Sequence, residues 1–471
     1  MSEYDLVVIG SGPAGEKAAA MAAYFDKRVA IIEREERPGG TVVSRGGIPT
    51  KTLREAATYL SGYHRREFYG VGVEIEPKLM LELLRRRATE VMDLVAAAVV
   101  ENIARHGIDL VRGTGALTPD GQVAVTAADG STRVLQADKV LIATGSRPFR
   151  PPTVPFGDPA VDDSDSILAL DSIPDSLVVI GGGPVGVEYA SISTALGVHV
   201  TLVDAGSRLI PFADEEISAT LRAALEADGA RFIFDSPGTT IERTAAGLEV
   251  ALPDGEVLKP EKVLFAAGRT GNTEGLGLDE AGVETNDHNN IVVDEHFQSS
   301  IPGIYAAGDV AGPPALASVS AEQGRVATSH AFGLGVVERL DPLPVFGVYS
   351  IPEVGMVGRT EAAAAAAGID YAVGRFMFER NPRARIAGPG IGMVKLVVDK
   401  KDHALLGVHI VGEEAAELVH IGQAAIHAGD KVERFIHSTF NVPTRSEAYK
   451  YAAYDALQDI SGHRLPGPAV T

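Results

Sequence analysis

The chain contains no cysteine and no tryptophan. Without cysteine there is no disulfide framework, no thiolate catalysis and no cysteine-ligated metal or iron–sulfur site. Basic residues are in deficit: 42 Lys and Arg stand against 63 Asp and Glu, a net charge of −21. That balance argues against nucleic acid and anionic membrane surfaces, which are held by basic patches. No apolar run is long enough to span a bilayer, and no basic segment leads into an apolar one at the N-terminus. A cytoplasmic protein without membrane insertion is therefore expected. The 12 histidines show no His-x-His or His-Glu-x-x-His spacing. His403, His409, His420, His427 and His437 crowd the C-terminal region, but on strand and helix faces, and no metal is expected.

What the chain has is length and glycine. Its 471 residues suffice for two to four domains, and 45% hydrophobic residues with 52 glycines fit a globular α/β protein. Residues 4–10 are a buried-strand run ending in glycine, followed by Gly10-Ser11-Gly12-Pro13-Ala14-Gly15 and an alanine-rich helix. The apolar run Val29–Ile32 then ends in Glu33. Strand, glycine turn, helix and acidic strand end together make a dinucleotide-binding unit. The glycines let backbone amides approach a pyrophosphate, the helix N-terminus supplies positive potential, and Glu33 stands at the distance of a ribose 2′-hydroxyl. The pattern repeats about 170 residues later: Leu177–Ile180, Gly181-Gly182-Gly183-Pro184-Val185-Gly186, a helix, and Val198–Val203 ending in Asp204. Two dinucleotides in one chain follow. Asp204 suits a 2′-hydroxyl and repels a 2′-phosphate, favouring NAD over NADP, with Arg208 nearby to soften the preference.

Between the two units, Pro38–Leu53 has an unusual texture. Gly39-Gly40-Thr41 leads into Gly46-Gly47-Ile48-Pro49-Thr50-Lys51, and Leu53, Ala56, Ala57 and Leu60 recur at helical spacing. Pro49 fits the first helical position, which places Lys51 in the first turn, where the helix dipole prefers an anion. A ligand or a carboxylate must offset that charge. A second long helix spans about 77–105, with Leu79, Leu83, Val91, Leu94 and Val95 on one side and a solvated Arg85-Arg86-Arg87 on another. Residues 109–142 alternate like antiparallel strands, with a turn at Asp129-Gly130. Strands ending in Thr144-Gly145 and Gly308-Asp309 read as backbone that stops close to a ligand. Asp309 either bonds a ligand hydroxyl or caps a helix. The cluster Pro148, Pro151, Pro152 and Pro155 marks a domain crossing. From Val345 a mixed α+β texture follows, without a nucleotide fingerprint.

The order of these motifs resembles the FAD-dependent pyridine nucleotide–disulfide oxidoreductases over essentially the whole chain. It rests on GSGPAG at 10–15, GGT at 39–41, IPTK at 48–51, ATG at 143–145, GGGPVGVEYA at 181–190 and YAAGD at 305–309. The resemblance implies an α/β fold: two Rossmann-like dinucleotide-binding domains plus a C-terminal α+β dimerisation domain, and a homodimer. Residues 1–150 and 275–344 would bind FAD, 151–274 would bind NAD(P), and 345–471 would form the interface. It implies Lys51 and Glu188 as an ion pair in the catalytic site and Tyr189 near the nicotinamide. The cofactor-binding positions carried over are Gly10, Gly12, Pro13, Ala14, Gly15, Glu33, Gly40, Thr41, Gly115, Thr144, Gly145, Gly308, Asp309, Gly181, Gly183, Gly186, Tyr189, Asp204 and Gly268.

The departures from that pattern carry as much. Where the disulfide members have two redox cysteines, this chain has Val42 and Gly47. Where they have the His-Pro-Thr…Glu acid–base pair, it has Val442-Pro443-Thr444…Glu447. Dithiol reduction is excluded, since valine and glycine pass no electrons. Glu447 then reads as a solvated carboxylate at a helix start. Val42 and Gly47 are either mere replacements or open a small pocket that a quinone could use and that Gly47→Leu would fill. One branch, the soluble Si-specific pyridine nucleotide transhydrogenases, is similar in the IPTKTLREA, GRTGNT and FNxPT strings at 48–56, 268–273 and 440–444. It implies FAD-mediated hydride transfer between NADPH and NAD+, with NAD(H) and NADP(H) as substrates. A dehydrogenase handing electrons to a quinone or other acceptor uses the same motifs. A flavin-binding regulatory protein would do so as well, but no DNA-binding helix pair or basic patch accompanies them.

Overall fold

The computed structural model describes residues 2–62, 75–245 and 247–462. The chain divides into two compact units. One comprises Met1–Thr52, Arg85–Phe149 and Gly268–Pro342; the other comprises Leu53–Leu84, Arg150–Ala267 and Leu343–Thr471.

The first unit is built on a five-stranded parallel sheet in the order Ile304–Ala306, Ala137–Ile142, Tyr4–Ile9, Val29–Glu33, Asp109–Arg112. Its strands are apolar on both sides because both faces are covered. The strand period of two sorts each run between two cores. Val7, Ile9, Ala30, Ile32, Val140 and Ile142 meet Leu117, Val123, Val125 and Leu135 of a small antiparallel sheet. Leu6, Val8, Val29, Ile31 and Leu141 meet Ala18, Ala22 and Val326 of two helices. The expectation of antiparallel strands throughout 109–142 fails at both ends, since Ala137–Ile142 pairs in parallel with Tyr4–Ile9. Asp109–Arg112 pairs in parallel with Val29–Glu33, because alternation reports which face is buried and not the direction of the neighbour. The Asp129-Gly130 turn stands where expected, between Val123–Thr126 and Thr132–Leu135.

The helix Pro77–Arg105 has its predicted span but not its predicted buried face. Leu84, Ala88, Ala96 and Ile103 are buried, whereas Leu79 and Leu94 are exposed. Side-chain size drove the expectation, and alanine's small volume is what lets a neighbour approach. Arg86 and Arg87 are solvated and pair with Glu90.

The second unit holds another five-stranded parallel sheet, ordered Arg231–Ile233, His199–Val203, Ser176–Ile180, Lys262–Phe265, Val161–Asp163. Its C-terminal part is a five-stranded antiparallel sheet, ordered Phe346–Val348, Val354–Gly358, Leu405–Gly412, Gly392–Asp399, Tyr371–Met377. One apolar core joins the two parts: Leu202, Leu209, Ile217 and Leu221 pack in the same cluster as Val348, Val354, Met356, Met393 and Val411.

Candidate functional site

At the first glycine turn the backbone does what no side chain would permit. Gly10 has φ +106, and a Cβ there would lie 2.4 Å from the Ala143 carbonyl oxygen. A Cβ at Gly15 would lie 2.0 Å from the Gly10 oxygen, so the helix Pro13–Tyr24 can press against the strand that feeds it. Gly12 differs: the nearest atom to its missing Cβ is Gly40 Cα, at 3.9 Å. It caps the helix, with Pro13 and Ala14 next in line, and no side chain closes the helix N-terminus. Gly40, at φ +68, approaches so closely that its own Cβ would stand 2.8 Å from Gly12 Cα. Two glycine turns thus face each other, with Thr41 directly following in the short helix Gly40–Ser44.

Glu33 ties these turns together. It is buried, and its carboxylate accepts from Ser11 N at 3.0 Å, Ser11 Oγ at 2.5 Å and Glu35 N at 2.8 Å. Ser11 Oγ in turn accepts from Gly39 N at 2.9 Å. Each carboxylate oxygen can accept more than once, so capacity for a hydroxyl donor remains. At the neighbouring strand ends, Thr144 and Asn272 bond reciprocally, Oγ1 to O at 2.8 Å and Nδ2 to O at 2.9 Å. Gly145 and Gly268, both at positive φ, have nothing within 4 Å of a built Cβ. Asp309 accepts from Ser146 Oγ at 2.6 Å, and Arg269 donates to the same Oγ and to the Ser146 carbonyl, each at 2.8 Å. Asp309 therefore caps nothing; its carboxylate is aimed by Ser146 and Arg269. Gly308 N donates to Gln323 Oε1 at 2.7 Å. None of Ser11, Ser146, Arg269 and Gln323 was singled out from the sequence: Ser146 and Gln323 lie outside any motif, and Ser11 and Arg269, though inside GSGPAG and GRTGNT, act on partners distant in the chain. Gly115 sits among Ile9 and Ile32 side chains, 3.1 to 3.3 Å from a built Cβ, which makes it a packing glycine under the sheet.

The second turn repeats the first. Gly181 has φ +118 and a built Cβ 2.6 Å from Ala266 O; a Cβ at Gly186 would lie 1.9 Å from Gly181 O; around Gly183 nothing lies within 4 Å. Asp204 accepts from Gly182 N and, through its other oxygen, from Gly206 N at 2.6 Å. Arg208 is engaged on the Pro211 carbonyl at 2.6 Å. Tyr189 is buried in the apolar core, with its hydroxyl donating to Ser164 O at 3.0 Å. Glu188, beside it, is buried as well and accepts from Tyr349 N at 2.9 Å.

Lys51 lies in the first turn of the helix Ile48–Ser61, its amide bonded to Gly47 O at 3.1 Å and its ammonium 3.4 Å from Thr50 Oγ1. The two positions without cysteine fit each other. A Cβ on Gly47 would meet Val42 Cγ2 at 2.5 Å and Val42 O at 2.7 Å. Valine takes up the space at Gly47, which agrees with plain replacement and not with a pocket, and Gly47→Leu would clash rather than occupy a void. Glu447 also differs from expectation. It is 5% exposed and closes a capping box with Thr444 around the 3-10 turn Arg445–Glu447, which leads into the last helix, instead of facing water.

A polar cluster within the second unit escaped the sequence. Asp214, Glu216 and Glu361 bring carboxylates within 4.8 Å of one another. The buried Lys395 ammonium stands among them, 2.7 Å from Asp214 and 3.0 Å from Glu216, and is also paired with Glu361. Burial works against charge on Lys395, but the carboxylates hold its pKa above the ordinary value. His409, opposite Lys395 in register, is pushed down by burial and bonds the Arg359 carbonyl through Nε2 at 2.9 Å. The Arg375 guanidinium also reaches this cluster, 2.8 Å from Glu216 and 3.5 Å from Glu361, so two cations face its three carboxylates.

Among the described residues no helix is long and apolar enough to cross a membrane. Residues 4–324 match the pyridine nucleotide-disulphide oxidoreductase family, and 346–453 match that family's dimerisation domain. The chain is 42% identical over 461 residues to the soluble pyridine nucleotide transhydrogenase of Mycobacterium bovis (strain BCG / Pasteur 1173P2), covering 98% of each protein. It is 38% identical over 462 residues to the protein of that name from Marinomonas sp. (strain MWYL1), covering 97% of this chain and 99% of that one. Its fold is similar to that of LpdA from Mycobacterium tuberculosis, with a TM-score of 0.86 at 29% identity over 95% of this chain and 99% of that one. It is equally similar to the HOCl-induced flavoprotein disulfide reductase RclA of Escherichia coli in its Cu(II) complex, with a TM-score of 0.86 at 26% identity over 98% and 100%. With two glycine turns of one geometry, an acidic residue behind each and the dimerisation domain at its C-terminal end, this chain belongs to the pyridine nucleotide–disulphide oxidoreductases.

Proposed function

We propose that this protein is an FAD-dependent transhydrogenase that passes hydride between NADPH and NAD+, and that it works as a homodimer in the cytoplasm. One observation carries the reading: both dinucleotide turns are built to the same geometry, while Val42 and Gly47 pack against each other where disulfide-reducing members of the family hold their dithiol. Nicotinamide and flavin sites without a thiol relay rule out dithiol reduction and support hydride exchange between nicotinamides. The names of the relatives at 38 and 42% identity support it.

The residues present fit a flavin dinucleotide. The open side of Gly12, facing Gly40, is a cradle that any Cβ would obstruct, at a helix N-terminus whose amides favour a pyrophosphate. In this reading Glu33 accepts from the ribose and Asp309, aimed by Ser146, takes a hydroxyl of the linking chain. Residues 1–150 and 275–344 form the flavin half, 151–274 the NAD(P) half and 345–471 the interface. Bound FAD supplies a centre that accepts a hydride from one nicotinamide and returns it to the next. Lys51 supplies positive charge for the negative charge that develops, and Glu188 is the carboxylate the family resemblance gives it. Gly183 and Gly186 bring backbone amides to the nicotinamide dinucleotide, Asp204 accepts from its ribose, and Tyr189 stiffens the pocket wall through Ser164.

The test is turnover by FAD-loaded protein given NADPH and a thio-analogue of NAD+. Reduction of the analogue at a rate matching or exceeding that with quinones is expected. A flavin that NADH bleaches but that passes nothing to the analogue would overturn the reading in favour of a quinone or protein acceptor, the alternative that Asp204 favours by disfavouring NADP.

A further inference from the structure

A short turn of the C-terminal domain touches both halves of the proposed catalytic pair's support. The strands Phe346–Val348 and Val354–Gly358 pair antiparallel, and Tyr349–Glu353 connects them. At one end of this turn the Tyr349 amide donates to Glu188 Oε1 at 2.9 Å. At the other end Glu353 Oε1 lies 3.0 Å from Arg54 Nη2, and Arg54 Nε donates to Ser350 O at 3.3 Å. Arg54 stands one helical turn beyond Lys51 on the helix Ile48–Ser61.

The turn itself is fixed. Ser350 is fully buried and its hydroxyl donates to Pro352 O at 2.6 Å. Glu353 accepts from Ala416 N at 3.2 Å through its second oxygen, and its carbonyl accepts from Gly412 N at 2.8 Å. Arg54 and Glu353 are each 8% exposed. A buried ion pair adds little net stability over apolar residues of similar size, because both ions lose their water. Its value lies in geometry: a planar guanidinium bound at two points fixes the rotation of the helix that carries it. The Tyr349 amide does the same for one oxygen of Glu188, leaving the other oxygen's direction set.

We propose that Arg54, Glu353 and the Tyr349 amide are positioning residues for hydride transfer, orienting the helix of Lys51 and the carboxylate of Glu188. This rests on the reading of Lys51 and Glu188 given above, and it predicts that the pair can be removed without unfolding the protein yet not without slowing the flavin's reduction.

The decisive variant is Arg54→Met/Glu353→Met, which keeps the volume and removes both buried charges. In the FAD-loaded dimer, flavin bleaching by NADPH or NADH under anaerobic stopped flow should slow by about ten- to a hundredfold, the scale of a misplaced catalytic group. Half-saturation for the nicotinamide should stay within about twofold, and the thermal midpoint should stay close to that of the parent. Arg54→Lys should recover part of the rate. Wild-type bleaching in a folded double variant would overturn the proposal, as would a loss confined to half-saturation. Should the double variant not fold, Arg54→Lys and Glu353→Asp are read in the same assay, and wild-type rates in both would overturn it. Because bleaching requires no second nucleotide, failure of the transhydrogenase reading shows only in the wild type's transfer to the thio-analogue, and the two are told apart.

Discussion

The ammonium of Lys395 lies 2.7 Å from Asp214 Oδ1, and both side chains are almost wholly buried. Asp214 caps the helix Glu215–Ala227 of the nucleotide part, while Lys395 belongs to the strand Gly392–Asp399 of the C-terminal part. With its second pair to Glu216 of the same helix, Lys395 ties the two parts of the second unit together beside their shared apolar core. Burial disfavours the Asp214 anion, but the hydrogen bond and charge of Lys395 hold its pKa below the ordinary carboxylate value. Its contribution is complete above about pH 4 and is lost as pH falls through the lowered folded value. Lys395→Met strands a buried carboxylate and should cost about 3–5 kcal/mol at pH 7, read by urea unfolding. In the variant Asp214 is better off protonated, so the gap to wild type should narrow below pH 4. A gap that does not change with pH would show that the pair is not what the variant lost.

Asp228 predicts the opposite slope. It ends the helix Glu215–Ala227, where the dipole disfavours an anion, and burial pushes its carboxyl up to about 6. The folded state then binds the proton more tightly than the unfolded state, so stability falls as pH rises from about 4 to 6. Two pKa units bound the cost at about 3 kcal/mol. Asp228→Asn should flatten that part of the profile and raise stability at pH 7 by about 1–3 kcal/mol in urea titrations.

The contact of Val42 with Gly47 invites a double-mutant cycle. Gly47→Ala sets a methyl 2.5 Å from Val42 Cγ2 and should cost about 1–3 kcal/mol. Val42→Ala removes that overlap but not the one at 2.7 Å with the Val42 carbonyl, so the double variant should recover only part. A coupling energy near zero in chemical unfolding would mean the two side chains do not share this space.

Nucleotide choice should turn on Asp204. Asp204→Asn keeps one acceptor for the Gly182 and Gly206 amides and removes the charge a 2′-phosphate would meet. The ratio of kcat/KM for NADPH over NADH should rise by about tenfold, about 1.4 kcal/mol. An unchanged ratio would place the 2′-position away from this residue.

Both glycine turns were legible from their sequence because the turn's demands are local: positive φ at Gly10 and Gly181, and helix-to-strand approach at Gly15 and Gly186. The mixed α+β texture expected from Val345 is present, in strands such as Tyr371–Met377 and Leu405–Gly412 and in the helix Ala415–His427. The short strand Val354–Gly358 carries no such signal, three of its five residues being glycine or methionine with no alternation. Contacts distant in the chain were invisible for a different reason. Nothing near Lys395 announces Asp214, 181 residues away, and nothing near Arg54 announces Ser350, 296 residues away. The face of Pro77–Arg105 was misread because hydropathy weighs leucine above alanine where the neighbour's proximity decides.

A seat made of valine and glycine has no sulfur to lose. Peroxide and hypochlorite act on thiolates, carrying them to sulfenic acid and then beyond repair. At positions 42 and 47 they find only hydrocarbon and backbone. The chain's working state is thereby independent of the thiol–disulfide poise around it, and oxidative stress that would silence a dithiol enzyme leaves this place in the molecule untouched.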